Sequence, residues 1–211
     1  SALAIAVTGA GALGSLPCAM LAPAAIRAEL QAIRRARRQP YNVNFFCHAA
    51  PLADAAREAR WRETLRPDYA EFGLDPDHVA PTPPRLPFDA ATLEAIAPFS
   101  PPVVSFHFGL PAPALLQRVK AWGATVLASA TTLDEALWLE RRGADAIIAQ
   151  GLEAGGHRGM FLGEDVATQV GTFALVRSIV RAVGIPVIAA GGIADRAGIA
   201  AALALGAAGV Q

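Results

Sequence analysis

The stretch GADAIIAQ, residues 143–150, follows a helical pattern, TLDEALWLERR (132–142), and runs directly into a glycine-rich loop. Its glycine suits the position just past a helix end, where a left-handed backbone closes the last turn. Its apolar run suits a strand buried on both faces, the hallmark of a parallel sheet. The same phrase recurs as GALGSL from Gly11, GATVLAS from Gly123 and GAAGVQ from Gly206, with a variant, IPVIAAGG, after Gly184. Helical stretches separate the copies: PALLQRVKAW (113–122), VGTFALVRSIVRAV (170–183) and DRAGIAAALAL (195–205). Short apolar strands alternating with amphipathic helices predict βα units around a parallel sheet.

Adding YNVNFFC (41–47) and PPVVSFHFG (101–109) makes seven strands, the last reaching Gln211. The expected fold is a (β/α)8 TIM barrel in one domain over residues 1–211. Such barrels take about 250 residues. The chain has 211 and begins without Met. The first strand and the C-terminal part are therefore expected to be lacking here. An open doubly wound sheet is the alternative.

Two segments need separate treatment. TGAGALGS (8–15) contains Gly9-x-Gly11-x-x-Gly14, the spacing of a dinucleotide fingerprint. That motif needs a helix opening at its second glycine, yet Pro17 and Pro23 fall where the helix would run. Prolines inside a helix cost about 3 kcal/mol each. The opposite order fits better: a helix over residues 1–8, a cap at Gly9 or Gly11, then a strand. Residues 48–101 also break the rhythm. DAAREARWRETLRPDYAEFG (54–73) reads as a helix with a late break at Pro67, and LDPDHVAPTPPRLPF (74–88) as an irregular loop. In a barrel this insertion would sit over the mouth, as a lid or as packing decoration.

Composition bounds the function classes. Hydrophobic residues make up 54% and charged residues 17%, which suits a packed enzyme rather than a disordered chain. The net charge is zero, so nothing points to nucleic acid or a membrane surface. The basic run Arg34-Arg35-Ala36-Arg37-Arg38 closes a helical pattern carrying Ile26, Leu30 and Ile33 and reads as helix C-terminal charge. Cys18 and Cys47 have no metal or disulfide spacing, which fits a cytoplasmic setting. No apolar run of transmembrane length is free of breakers, and the apolar start lacks the basic flank of a signal peptide.

In parallel barrels chemistry gathers at the C-terminal strand ends. Those ends carry Asn44, His107, Ser129, Gln150, Gly191-Gly192 and Gln211. Amides, hydroxyls and glycines suit a neutral, flat, heteroatom-rich ligand better than a metal ion. In AAGGIADRAG (189–198), Gly191 and Gly192 precede a helix that Asp195 can cap. Two readings stand there, a phosphate cradle at a helix N-terminus and a tight turn without ligand. EAGGHRG (153–159) follows a strand directly. His157 could act as an acid or base near neutral pH, or be a hydrogen-bonded loop histidine. Glu153 could orient it or be solvated. His107 reads as an inward structural histidine, and His48 and His78 are assigned no role.

NVNFF (42–46), AQGLEAGGHRG (149–159), VIAAGGIAD (187–195) and GAAGVQ (206–211) together resemble the nitronate monooxygenases, formerly called 2-nitropropane dioxygenases. The motifs occur in order over nearly the whole chain. The resemblance implies an FMN-containing barrel that oxidises alkyl nitronates or nitroalkanes with O₂ to carbonyl compounds and nitrite. It implies His157 as the catalytic base and Asn44, Gln150, Gly155, Gly192 and Gln211 at the FMN, with no metal. A homodimer is compatible with it. The FMN-dependent enoyl-ACP reductases, which use NAD(P)H, share a similar histidine loop. A flavin-binding barrel without turnover is a further alternative.

Overall fold

The computed structural model describes residues 1–36, 39–50, 52–78 and 86–211. Residues 1–48 and 87–211 form one compact unit and residues 49–86 a second.

The larger unit opens with helix α1 (Ala2–Gly9), strand β1 (Gly14–Pro17), helix α2 (Pro23–Ala36) and strand β2 (Tyr41–Phe46). The helix-then-strand order excludes a dinucleotide fingerprint at Gly9–Gly14, because no helix starts at Gly11. Pro23 instead begins α2, where its missing N–H costs nothing. In the smaller unit, α3 (Ala55–Glu71) starts on Asp54, whose carboxylate accepts the Arg57 N–H at 2.9 Å. It runs through Pro67 rather than breaking there. Pro67 deprives the Glu63 carbonyl of its partner, but both residues are exposed, where water can replace the missing bond. The Pro-rich loop expected over residues 74–88 falls in part outside the described residues. Its start forms a single 3₁₀ turn at Pro76–His78.

Residues from Pro87 onward belong to the larger unit, so the second unit is narrower than the stretch 48–101. Helix α4 (Ala90–Ile96) buries Leu93 and Ile96 with Ile26, Leu30 and Ile33 of α2. Four βα units follow: β3 (Val103–His107), α5 (Pro113–Ala121), β4 (Thr125–Ala130), α6 (Leu133–Arg141), β5 (Ala146–Gln150), α7 (Thr172–Val180), β6 (Val187–Ala190) and α8 (Arg196–Ala204). Strand β7 (Gly209–Val210) ends the series. Gly143 has φ 94°, as a left-handed cap requires, and Gly11, Gly123 and Gly206 share that conformation. Gly184 does not, because α7 stops at Val180 and a further turn intervenes. No helix among the described residues is long and apolar enough to cross a membrane.

All strand pairs are parallel and the order is β1-β2-β3-β4-β5-β6-β7. A doubly wound sheet must reverse its order at a switch point; this one never does. Ser15 and Pro17 of the first strand line one cavity with Gln211, the residue after the last strand, so the sheet curls as in a TIM barrel.

Side-chain alternation separates two environments. Val43, Phe45, Val104, Phe106 and Val126 are buried in the core that includes α2 and α4. Their neighbours Asn42, Asn44, Phe46, Ser105 and His107 line the cavity instead. Leu127, Ala146, Ile148 and Ala190 form a separate apolar cluster with Val103 and Ile188, and Ile148 and Ala190 also border the cavity.

Candidate functional site

The cavity measures about 500 Å³ and gathers Asn44, Gln150, Gly155, His157, Gly192 and Gln211 with His107 and Ser129. Every strand-end residue singled out by the sequence therefore meets in one place. Three further residues line the same cavity: Ser15, Asn42 and Ser105. Sequence reading passed over these three, although Asn42 and Ser105 stand two positions before Asn44 and His107. The two-residue period that puts Asn44 inside also puts Asn42 inside.

These three residues and Asn44 form a hydrogen-bonded group. The Asn42 side-chain amide donates to Ser15 Oγ at 2.7 Å and Ser105 Oγ at 2.8 Å. The Asn44 amide donates to the same Ser105 Oγ at 2.9 Å. Buried polar groups need partners, since an unsatisfied one costs roughly 1–3 kcal/mol. Asn42 Oδ1 is buried and has no hydrogen-bond partner among the described residues.

The EAGGHRG loop is organised by side chains on either side of His157. Gln150 Nε2 donates to the His157 carbonyl at 2.8 Å, and Gln150 Oε1 accepts the Gly159 N–H at 2.7 Å. Arg158 turns back and donates to the carbonyls of Gly151, Leu152 and Ala154 at 2.7, 2.9 and 3.3 Å. Glu153 is exposed, and its carboxylate binds Thr172 rather than His157. Its Oε2 accepts both the N–H and the hydroxyl of Thr172 at 2.7 Å, fastening the loop to α7. Those bonds, the Thr172 hydroxyl first, hold the Glu153 carboxyl below its ordinary value.

The three glycines of this loop differ in their surroundings. Gly156 has φ 76°, which side chains resist. At Gly159 a Cβ would stand 2.5 Å from His107 Cε1, so the close approach demands hydrogen. At Gly155 a Cβ would meet no atom of the described residues within 4 Å, and the backbone is not left-handed. Nothing among the described residues calls for glycine there, and the residue borders the cavity.

His157 is exposed, while Phe46 and Phe108 stand edge-to-face with its ring at 5.1 and 6.0 Å between centroids. His107 Nε2 lies 3.2 Å from the His157 carbonyl oxygen. A carbonyl only accepts, so this nitrogen carries the proton. Burial pushes the His107 pKa down, against the opposing pull of that bond. His107 is a wall of the cavity and a support of the loop at once. Of the other histidines, His48 joins the ring cluster of Phe46 and Phe108, and His78 Nδ1 lies 2.6 Å from Asp75.

Beyond β6, Gly191 and Gly192 have φ 121° and 69°. At Gly191 a Cβ would lie 2.8 Å from Ala154 N and Thr172 Oγ1, so packing with the histidine loop also excludes a side chain. Asp195 caps α8 by accepting the Gly198 N–H at 2.8 Å. Among the described residues, no group of three His, Cys, Asp or Glu side chains is placed to hold a metal ion.

Known proteins align with this arrangement along its whole length. The family model for nitronate monooxygenase matches residues 1–211. A nitronate monooxygenase of Pseudomonas aeruginosa is 46% identical, covering all of this chain and 60% of that protein. One from Paraburkholderia phytofirmans is 44% identical, with 100% of this chain and 58% of the relative covered. The crystal structure of nitroalkane oxidase from Streptomyces ansochromogenes superposes with a TM-score of 0.87 at 35% identity, over 99% of this chain and 60% of that one. The chain thus spans about three-fifths of the length of the proteins it matches. With the family model covering every residue, the chain belongs to the nitronate monooxygenase family.

Proposed function

We propose that this chain forms the cofactor- and substrate-binding part of an FMN-dependent enzyme that oxidises alkyl nitronates and nitroalkanes with O₂ to carbonyl compounds and nitrite. The observation that carries the reading is the meeting of His157, Gly155 and the Gly191-Gly192 turn at one polar cavity.

The residues suit the cofactor. Gly155 is a glycine that nothing among the described residues calls for, as expected where a flat ring system packs on backbone. Gly191 and Gly192 bring backbone N–H groups to the N-terminus of α8, which favours a phosphate. Asn44, Gln150 and Gln211 supply amides for the heteroatoms of the ring and ribityl chain. Bound FMN would supply the electron acceptance and oxygen chemistry that no amino-acid side chain offers.

The protein's own part is positioning and proton transfer. His157 takes the α-proton of a neutral nitroalkane on its imidazole. A nitronate arrives already deprotonated and needs no base. Phe46 and Phe108 flank the imidazole with apolar surface, and Gln150 and His107 fix its backbone carbonyl.

The test is His157→Asn in the purified holoprotein. FMN should remain bound, and turnover of neutral nitroalkanes should fall about 100-fold or more while nitronates are affected far less. Equal loss on both substrates would remove the proton-abstracting role. Anaerobic mixing with a nitronate should bleach the flavin faster than mixing with NADH or NADPH. The reverse order would favour an enoyl-ACP reductase, and a colourless holoprotein preparation would favour a barrel without turnover.

A further inference from the structure

We infer that Glu135 is a positioning residue for His157, acting through the chain segment that follows it. The inference rests on the proposed role of His157 as base.

Glu135 lies in the first turn of α6 and is only 1% exposed. Its carboxylate faces four neutral donors. Oε2 accepts the Thr131 N–H at 2.7 Å and the Thr131 hydroxyl at 2.8 Å. Oε1 accepts the Phe161 N–H at 2.6 Å and the Leu162 N–H at 3.3 Å. A buried carboxylate is tolerated only when its oxygens are well supplied with donors, and here two distant segments supply them.

The bland account is a helix cap. Thr132 and Glu135 have capping-box spacing, and Thr132 Oγ1 accepts the Glu135 N–H at 3.3 Å. That account uses one oxygen and one segment. It leaves unexplained why the second oxygen is committed to Phe161 and Leu162, 26 and 27 residues away. Phe161 is further seated on α6 by its ring, 5.1 Å from that of Trp138.

The segment from His157 to Leu162 is then held at four backbone points. Gln150 takes the His157 carbonyl and the Gly159 N–H; Glu135 takes the N–H groups of Phe161 and Leu162. Gln150 fixes the near half against β5 and Glu135 the far half against α6. Releasing the far half frees Gly159 to leave the underside of His107, where there is no room for a Cβ. The imidazole would then sample positions away from the substrate carbon. A misplacement of about 1 Å is enough to cost a catalytic group on the order of 100-fold.

The experiment uses Glu135→Gln and Glu135→Asp in the holoprotein. Gln keeps the shape but turns an N–H₂ toward one pair of donors. Asp can still reach Thr131 but is too short to span both segments, so it serves if the Gln variant does not fold. Amide hydrogen exchange at Phe161 and Leu162 should rise roughly tenfold or more, while residues 133–141 stay protected. Turnover of a neutral nitroalkane should fall about 100-fold through kcat, with nitronate turnover changed less than about threefold. Unchanged exchange at Phe161 and Leu162, or parallel losses on both substrates, would overturn the inference. If wild-type turnover proves independent of His157, the functional reading fails by that result alone. Exchange then still decides whether Glu135 tethers the loop.

Discussion

One carboxamide, that of Gln150, holds His157 from both sides of its own loop: it donates to the His157 carbonyl at 2.8 Å and accepts the Gly159 N–H at 2.7 Å. Both polar ends of this residue, which is 8% exposed, bind the loop, and the residue also lines the cavity. Gln150→Glu replaces the donor with an acceptor that faces a carbonyl. The variant should lose roughly 1–3 kcal/mol of stability, read by denaturant titration. Its kcat should drop about tenfold or more, read by steady-state kinetics on a neutral nitroalkane. Wild-type kinetics in this variant would mean that the loop is held by its other bonds alone.

The glycines at 151 and 155 make a matched pair. A Cβ at Gly151 would stand 2.0 Å from Thr172 Oγ1 and 2.3 Å from Thr172 Cα, whereas one at Gly155 would meet nothing within 4 Å among the described residues. Gly151→Ala should destabilise the fold by about 1–3 kcal/mol, as overpacked cores do. Gly155→Ala should leave the melting temperature of the flavin-free protein unchanged and weaken FMN binding, measured by fluorescence titration. Full FMN affinity in Gly155→Ala would detach this glycine from the cofactor.

Burial pushes the Cys18 thiol up to about 12 and the Cys47 thiol up as well. A shift from 9.0 to about 12 leaves roughly 1000-fold less thiolate at neutral pH. Native protein should therefore react with iodoacetamide at pH 8 far more slowly than unfolded protein, by mass spectrometry of both sites. Fast labelling of Cys18 in the folded state would contradict the packing around β1.

His107 links stability to pH. Its folded pKa lies below the ordinary 6.5, so the unfolded chain binds the proton first on acidification. Stability is complete above 6.5 and falls as pH drops from there toward the folded value. His107→Gln keeps an N–H for the His157 carbonyl but cannot titrate. Its unfolding free energy should change less than that of wild type between roughly pH 7 and 5. Parallel curves for the two proteins would place the linkage elsewhere.

Much of the fold was legible because its repeat is local. A left-handed glycine, an apolar run and an amphipathic helix recur as GATVLAS and GADAIIAQ, and each is recognisable without knowing its neighbours. The passage of α3 through Pro67 was not, since a proline predicts a break there and only exposure of the helix lets it continue. The strand-end residues were legible because a parallel barrel tells in advance which end is functional. Their supports were not. Ser15, Asn42 and Ser105 needed the two-residue period to be followed one step back along each strand. Glu135 looks in sequence like any helix-capping glutamate, and only the fold brings Phe161 and Leu162 to its second oxygen. Glu153 sits beside His157 in sequence but serves Thr172, 19 residues on.

The unbroken strand order has a consequence for how this molecule comes into being. Each strand pairs with the one before it in the chain, so the sheet can grow by addition as synthesis proceeds, each new pairing closing a loop at modest entropic cost. The cavity cannot grow that way. Its lining runs from Ser15 to Gln211, so a nascent chain carries most of a sheet long before it carries a site. The cavity therefore lacks one of its walls until the chain has passed β7 and reached Gln211.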